Sequence, residues 1–98
     1  MSTVWVKTER TAIRADEIIS ISEHQDSLSV TTTEQMGAFA HGEGDLRHRR
    51  HRVCKVADLD IDDAVTYLAT RIGHAAATGH GAIIEYHDGD LRTINVSR

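Results

Sequence analysis

One stretch of helical periodicity lies between regions that alternate at the period of a strand, and this order constrains the fold most. From about residue 61 to residue 77, apolar residues recur at the spacing of an α-helix and fall on one face. The sequence therefore predicts a single amphipathic helix. Its apolar face consists of Ile61, Ala64, Val65, Leu68, Ile72, Ala75 and Ala76.

Short polar residues flank the predicted helix at both ends. Asp60 can accept hydrogen bonds from the first exposed amides, and Asp62 and Asp63 favour the positive end of the helix dipole. Gly79 or Gly81 can supply the left-handed residue that ends a helix. We expect Asp60 to be the N-cap.

The N-terminal third alternates apolar and polar residues, with many β-branched side chains. The alternating segments are residues 4–7, 19–22 and 28–33, and Ile19 and Ile21 would share one face of their strand. Polar breaks of hairpin-loop length separate these segments, which favours antiparallel neighbours. The pattern predicts a β-meander.

The C-terminal residues carry the pattern of a β-hairpin. Residues 82–86 and 91–96 flank a turn centred on Asp88 and Gly89, two residue types that tolerate positive φ. A two-residue turn would set one register in which charged and apolar residues both find suitable partners. The expected pairs are Glu85 with Arg92, Ile83 with Ile94, and Tyr86 with Leu91.

These elements indicate one α+β domain spanning residues 1–98. We expect an antiparallel sheet, formed by the N-terminal β-meander and the C-terminal β-hairpin, with one amphipathic helix packed on one face. Between them, the glycine-containing residues 34–45 lack periodicity and are interpreted as a loop, and a short strand is expected over residues 52–56.

The most unusual segment is basic, in a chain of 98 residues whose formal net charge is −4. Guanidinium groups can bind phosphate, and a basic strand in a β-arm can follow a nucleic-acid groove. Alternatively, the arginines form ion pairs with acidic residues of the same chain or of a partner. The overall acidity and the absence of aromatic residues in the segment weigh against nucleic acid. The segment consists of Arg47, His48, Arg49, Arg50, His51 and Arg52.

Metal-binding residue types are present without a ligand motif. The chain has seven histidines, but His48 and His51 would point to opposite faces of a strand and so could not share an ion. Metal binding through histidines stays a third hypothesis, and we assign no metal ligand and no cofactor. Cys54 is the only cysteine, which excludes an intrachain disulfide. We expect a buried structural thiol rather than a nucleophile.

A strip of small residues lies beside the apolar face of the predicted helix. Ala69, Gly73 and Ala76 would allow another backbone to approach closely, either that of the chain's own sheet or that of a partner helix in a symmetric dimer. Phe39 is a candidate anchor residue for such a partner surface, as are Trp5 and Tyr86.

No catalytic motif assigns a reaction to named residues, so the sequence favours a non-enzymatic protein. A single cysteine and the lack of a long apolar stretch suggest a cytoplasmic protein that does not enter a membrane. A small core gains stability when a partner covers part of it. We therefore expect association with a second copy or with another protein, and nucleic-acid binding through the basic segment is the alternative.

Overall fold

The structure, a computed structural model, describes residues 3–35 and 46–96, and within these ranges it leaves the side chains at 33–35 and 46–48 undescribed. It confirms the predicted α+β class. The strands are β1 (Val4–Lys7), β2 (Ala12–Arg14), β3 (Ile18–His24), β4 (Ser27–Gln35), β5 (Leu46–Lys55), β6 (Gly81–His87) and β7 (Asp90–Val96), and the helix is α1 (Ala64–Thr78).

The described strands form two sheets. The four-stranded sheet has the order β2-β1-β6-β7, and the three-stranded sheet has the order β3-β4-β5. Neighbours are antiparallel except for β1 and β6, which run parallel with Val4 opposite Ala82 and Val6 opposite Ile84. The sequence did not predict this division. The predicted meander is split: its first segment, residues 4–7, is β1 of the four-stranded sheet, and its other two segments lie in β3 and β4, which pair with β5. The hairpin of β6 and β7 joins β1 and β2.

The hairpin of β6 and β7 has the predicted register. Glu85 lies opposite Arg92, and the other two expected pairs also form. Asp88 and Gly89 have φ of 50° and 87°, so the turn between the strands is of the I′ type, whose twist matches that of the strands. Both nitrogens Nε and Nη2 of Arg92 donate to Glu85 Oε1, at 2.8 and 2.6 Å.

The helix α1 packs against β1, β6 and β7 and also contacts β3 of the other sheet. Leu68 on its inner face is fully buried, which contributes about 2 kcal/mol of hydrophobic stabilisation. Polar contacts fix the helix to the start of β7: Tyr67 donates to Asp90 Oδ1 at 2.6 Å, and Arg71 donates to the carbonyl of Leu91.

The helix begins three residues later than expected, and the predicted N-cap is wrong. Asp63, not Asp60, is the N-cap: it accepts from the backbone N–H of Thr66 at 3.0 Å and from the Thr66 hydroxyl at 2.7 Å. Ile61 extended the apolar pattern because its half-buried side chain packs on the core although it precedes the helix. The predicted left-handed stop is confirmed at Gly79, with φ of 78°.

The prediction that Ile19 and Ile21 share a face of β3 is wrong. The pairing of β3 with β4 shifts between Ile18 and Ser20, where a bulge adds one residue to β3. The shift reverses the alternation, so that Ile18 and Ile21 pack against the core whereas Ile19 is 53% exposed.

The strand β5 begins well upstream of the expected residue 52, so that the basic segment is itself part of a strand. It pairs with β4, whose last two residues, Glu34 and Gln35, also lie within the predicted loop. The rest of that loop, including Phe39, lies outside the described residues. The register of β4 with β5 shifts opposite Leu28 and Ser29, which leaves Val53 as the additional residue of a bulge.

Gly81 lies where two other chain segments approach β6. A Cβ atom at this position would come within 3.0 Å of the carbonyl oxygen of Val96 and 3.6 Å of that of Thr3. A side chain at residue 81 would therefore push the backbone of β7 away from β6.

Removal of the Asp63 side chain should destabilise the protein. The hydrogen bonds from Thr66 lower the pKa of Asp63 below 3.8, so its contribution to stability is present at neutral pH and is lost as the pH falls through that lowered pKa. We expect Asp63→Ala to lower the melting temperature by a few degrees at pH 7, measured by circular dichroism. Asp63→Asn should retain most of the cap.

The matched control is Asp62→Ala, which removes an exposed carboxylate one residue away and should change the melting temperature little. Equal effects of the two alanine substitutions would contradict the assignment of Asp63 as the cap. The effect of Asp63→Ala should also shrink at a pH well below 3.8, where the native carboxyl is protonated.

Candidate functional site

The structure places the whole basic segment in β5, an edge strand of the three-stranded sheet. The backbones of Arg47 and His48 lie opposite Glu34 and Thr33 of β4. Side chains are described from Arg49 onward. The exposed side chains among these are Arg49, Arg50 and Arg52.

One face of the three-stranded sheet packs on the core, and the opposite face carries hydroxyl groups and cations. Leu28 and Val30 of β4 are fully buried on the core face. The opposite face, here called the hydroxyl face, has three cross-strand rows, each ending in a cation on β5. The rows are Ser20, Thr31 and Arg50; Ser22, Ser29 and Arg52; and His24, Ser27 and Lys55.

Arg52 is partly neutralised within the chain. Its Nε donates to Glu9 Oε1 at 2.7 Å, and the backbone N–H of Glu9 donates to the carbonyl of Arg52 at 3.0 Å. Both side chains of this ion pair are about half exposed, so the pair contributes little to stability. The sequence hypothesis that intrachain acids neutralise the arginines therefore holds for Arg52.

Arg50 borders a shallow cavity in the hydroxyl face. The cavity has a volume of about 390 Å³. No ion pair of Arg50 is found within the described part of the chain. The cavity therefore presents an exposed guanidinium above two buried serines, Ser27 and Ser29. Its lining consists of His24, Gln25, Ser27, Ser29, Arg50 and Arg52.

The sequence analysis missed the serines of this site. Ser27 and Ser29 flank the core-facing Leu28 in β4, but the sequence placed only Ser29 on the solvent side of the predicted strand over residues 28–33 and assigned Ser27 to the polar break before it. The pairing of that strand with the basic segment was needed to bring them beside arginines. A search for hydroxyl residues on the polar face of the strand nearest the basic segment could have found them.

His51 lies on the other face of β5. Its Nε2 is 3.3 Å from the hydroxyl oxygen of Thr32, on the same face as the buried Val30 opposite it in β4. His74 and His80 lie in and just after α1, and His87 ends β6. Among the side chains that the structure describes, no three histidine, cysteine, aspartate or glutamate residues are close enough to hold a metal ion together. The metal hypothesis thus gains no geometric support here.

Cys54 is buried, as predicted. It lines a second cavity of about 300 Å³ together with Lys7 and Glu85. Burial raises the pKa of its thiol to about 11, and the negative charges of Asp58 and Glu9 add to the increase. The thiol is therefore protonated at neutral pH, which disfavours its use as a nucleophile.

The strip of small residues on α1 faces solvent. Ala69, Gly73 and Ala76 are exposed, and apart from the adjacent backbone of the helix itself no atom lies within 4 Å of a Cβ built on Gly73. The interpretation that this strip packs on the chain's own sheet is therefore wrong: the adjacent face of the helix, with Leu68 and Ala75, makes that contact. A partner helix at the strip stays a prediction.

The outer face of the four-stranded sheet carries an apolar strip that no described element covers. Trp5, Ile83 and Ile94 form one cross-strand row, and Val96 continues it along β7. Trp5, Ile94 and Val96 are 36%, 37% and 44% exposed. Exposed apolar groups that adjoin one another are typical of an interaction surface. Of the predicted anchors, Trp5 lies in this strip and Tyr86 packs against the core.

The strand β7 also has an open backbone edge next to this strip. Because the turn has two residues, His87 and Asp90 close it as the hydrogen-bonded pair, and the alternation from there turns the amides of Leu91, Thr93 and Asn95 away from β6. The outward backbone groups of Leu91 already have side-chain partners: its N–H donates to Asp90, and its carbonyl accepts from Arg71. Within the described residues, nothing pairs with the outward groups of Thr93 and Asn95.

Comparison with known proteins finds no family model, no curated protein and no solved structure that matches this chain. Among the residues described, no helix has the length and apolarity needed to cross a bilayer. Functional inference therefore depends on the surfaces above.

The burial of Cys54 should protect it from thiol reagents. We expect the native protein to react with iodoacetamide at pH 8 at least about tenfold more slowly than an exposed thiol, because both the thiolate fraction and access are low. Ala57→Cys in a Cys54→Ser background supplies the exposed control, three residues away. Mass spectrometry over time gives the two rates. Equal rates would contradict the burial of Cys54, and urea should abolish the difference.

Proposed function

We propose that this protein is a non-enzymatic cytoplasmic module that associates with a second copy of itself through β7. The observation that carries the proposal is the open edge at Thr93 and Asn95, beside the exposed side chains of Ile94 and Val96. Strand pairing across this edge would join two four-stranded sheets into one continuous sheet of eight strands.

The other sheet edges have features that oppose such pairing. The edge strand β2 has only three residues, and β3 contains a bulge. The edge strand β5 has a bulge as well as four arginines, and Glu9 covers its backbone at Arg52. Short length, bulges and charge are the means by which proteins protect sheet edges. Among the described edges, β7 alone has seven residues that pair without a bulge. Side chains occupy the outward backbone groups only at Leu91, and the rest of this edge has none of these protections.

The groups already engaged on β7 restrict the register of the pairing. Asp90 Oδ1 accepts from the N–H of Leu91, and Arg71 donates to the carbonyl of Leu91, so pairing is limited to residues 93–96. A two-fold axis at Ile94 would pair Thr93 with Asn95 of the second copy in antiparallel register. The two equivalent pairs would form four backbone hydrogen bonds, and the two Ile94 side chains would meet at the axis.

The charges on β7 fit an identical strand. Arg92 pairs with Glu85 at 2.6 Å, and Asp90 accepts from Tyr67 at 2.6 Å, so each charged residue of the strand already has a partner within its own copy. The strand β7 has one acidic and one basic residue and so no net charge, whereas two β5 strands, with four arginines and a lysine each, would repel each other. This neutrality supports a second copy rather than a strongly charged partner.

The expected association is weak. Four backbone hydrogen bonds contribute about 1 kcal/mol each, and burial of Ile94 and Val96 adds to them. Association costs at least about 4 kcal/mol in lost translational and rotational freedom. The hydrogen bonds roughly offset this cost, and the remaining burial of four partly exposed side chains contributes about 1 kcal/mol each, so we expect a dissociation constant of about a millimolar and a dimer that dilution reverses.

Light scattering coupled to size exclusion, on tag-free protein over a concentration series that extends into the millimolar range, should show the mass rising from 10.8 kDa toward twice that value. Asn95→Pro removes an outward N–H and should leave a monomer. Asn95→Ala keeps the N–H and should still dimerise. A wild-type monomer at the highest concentration, or dimerisation of Asn95→Pro equal to that of wild type, would overturn the proposal.

If proline at residue 95 disturbs the fold, a second pair of variants tests the same edge. Ile94→Lys places two like charges at the proposed axis and should prevent dimerisation. Ala12→Lys adds the same charge to an exposed position on β2, at the opposite edge of the sheet, and should leave the dimer unchanged. Circular dichroism verifies that each variant is folded. Equal behaviour of the two lysine variants would argue against an axis at Ile94.

A further inference from the structure

We propose that the hydroxyl face of the three-stranded sheet binds the phosphate groups of a sugar-phosphate backbone. The centre of this site is the cavity of about 390 Å³ between β3, β4 and β5. Three different strands contribute to it: His24 comes from β3, Ser27 and Ser29 from β4, and Arg50 and Arg52 from β5. This inference uses a surface that the proposed dimer leaves open.

The site consists of groups that can donate hydrogen bonds to an oxyanion. Serine hydroxyls, guanidinium groups and an imidazole N–H are all donors, and guanidinium matches phosphate in charge and geometry. Arg50 is exposed and forms no ion pair within the described part of the chain. No hydrogen bond of the Ser27 or Ser29 hydroxyl to another described group is found, but the two residues are only 7% and 2% exposed, so a phosphate oxygen would have to enter the cavity to reach them.

Arg52 can contribute although it pairs with Glu9. The ion pair uses Nε of Arg52, at 2.7 Å from Glu9 Oε1. The described contacts leave its terminal nitrogens without a partner, and Arg52 lines the cavity. Glu9 thus holds the guanidinium in place while part of it still faces the ligand.

The repeat of cations along β5 indicates a ligand with repeating negative charge. Arg50, Arg52 and Lys55 each end one cross-strand row of the hydroxyl face. Successive rows of a sheet are separated by two residues, or about 7 Å along the strand. A single phosphate would occupy one row, whereas a sugar-phosphate backbone presents a phosphate to each. This match favours a nucleic-acid strand over a small phosphorylated molecule.

The composition of the site also predicts how it discriminates. No aromatic side chain lines the cavity, so bases cannot stack there and sequence preference should be low. The exposed Asp26 in the adjacent turn, the carboxylate of Glu9 and the chain's net charge of −4 oppose an anionic ligand. Binding should therefore be modest in affinity and should depend strongly on salt.

Fluorescence anisotropy with a labelled oligothymidine strand tests the proposal. With three phosphate contacts, the logarithm of the binding constant should fall with the logarithm of salt concentration with a slope of about −2. Arg50→Ser removes one contact and should reduce the steepness of that slope by about 0.7. The control, Arg14→Ser, removes an exposed arginine of the four-stranded sheet, which pairs with Asp16, and should leave the slope unchanged.

Two results would overturn the proposal. One is the absence of oligothymidine binding by wild-type protein at low salt. The other is an equal loss of binding in Arg14→Ser and Arg50→Ser, which would show that only net charge matters. A titration with inorganic phosphate, followed by the amide resonances of Ser29 and Arg50, distinguishes the ligand source. If the amide shifts saturate at millimolar phosphate and oligothymidine binds no more tightly than phosphate, the ligand would be a free phosphate ion rather than a nucleic-acid backbone.

This outcome is separable from that of the proposed dimer. Arg50 lies in the three-stranded sheet and β7 in the four-stranded sheet. The monomeric Asn95→Pro variant should therefore bind oligothymidine with the same salt slope per chain as wild type. A loss of binding in that variant would contradict a site contained within one copy.

Discussion

The parallel pairing of β1 with β6 is the contact on which the rest of the structure depends. It places Val6 beside Ile84, both fully buried, and thereby joins the N-terminal hairpin to the C-terminal one in a single sheet. The helix then has an apolar surface wide enough to receive Leu68. Without this pairing, the hairpin of β6 and β7 would be two strands with little to pack on, and such hairpins are marginally stable in water.

Local patterns predicted the elements that local chemistry determines. The register of β6 with β7 followed from a two-residue turn and from the match of Glu85 with Arg92. The limits of the prediction are equally physical. One additional residue in β3 placed Ile19 on the exposed side, and no periodicity reveals a bulge in advance. The division into two sheets depends on β1 meeting β6 across most of the chain, which is a tertiary contact.

The candidate surfaces were predictable to a similar degree. The basic segment was visible as composition, but its environment was not: Glu9 reaches Arg52 from a distant loop, and β4 brings Ser29 beside it. The small residues of α1 were identified as a contact strip, and their exposure removes one of the two interpretations. The open edge of β7 was invisible because an edge is defined by the strand that is missing beside it, and strand order is not a local property.

The close approach at Gly81 has a consequence for the connectivity of the chain. Thr3 and Val96 flank this glycine on either side, so β1 begins and β7 ends at the same end of the four-stranded sheet, with only β6 between them. A short linker between these two points would give a circular chain with little distortion, and new termini could then be opened in an exposed turn such as Gln25 and Asp26. The order of elements along the chain is thus less restrictive than their arrangement in space.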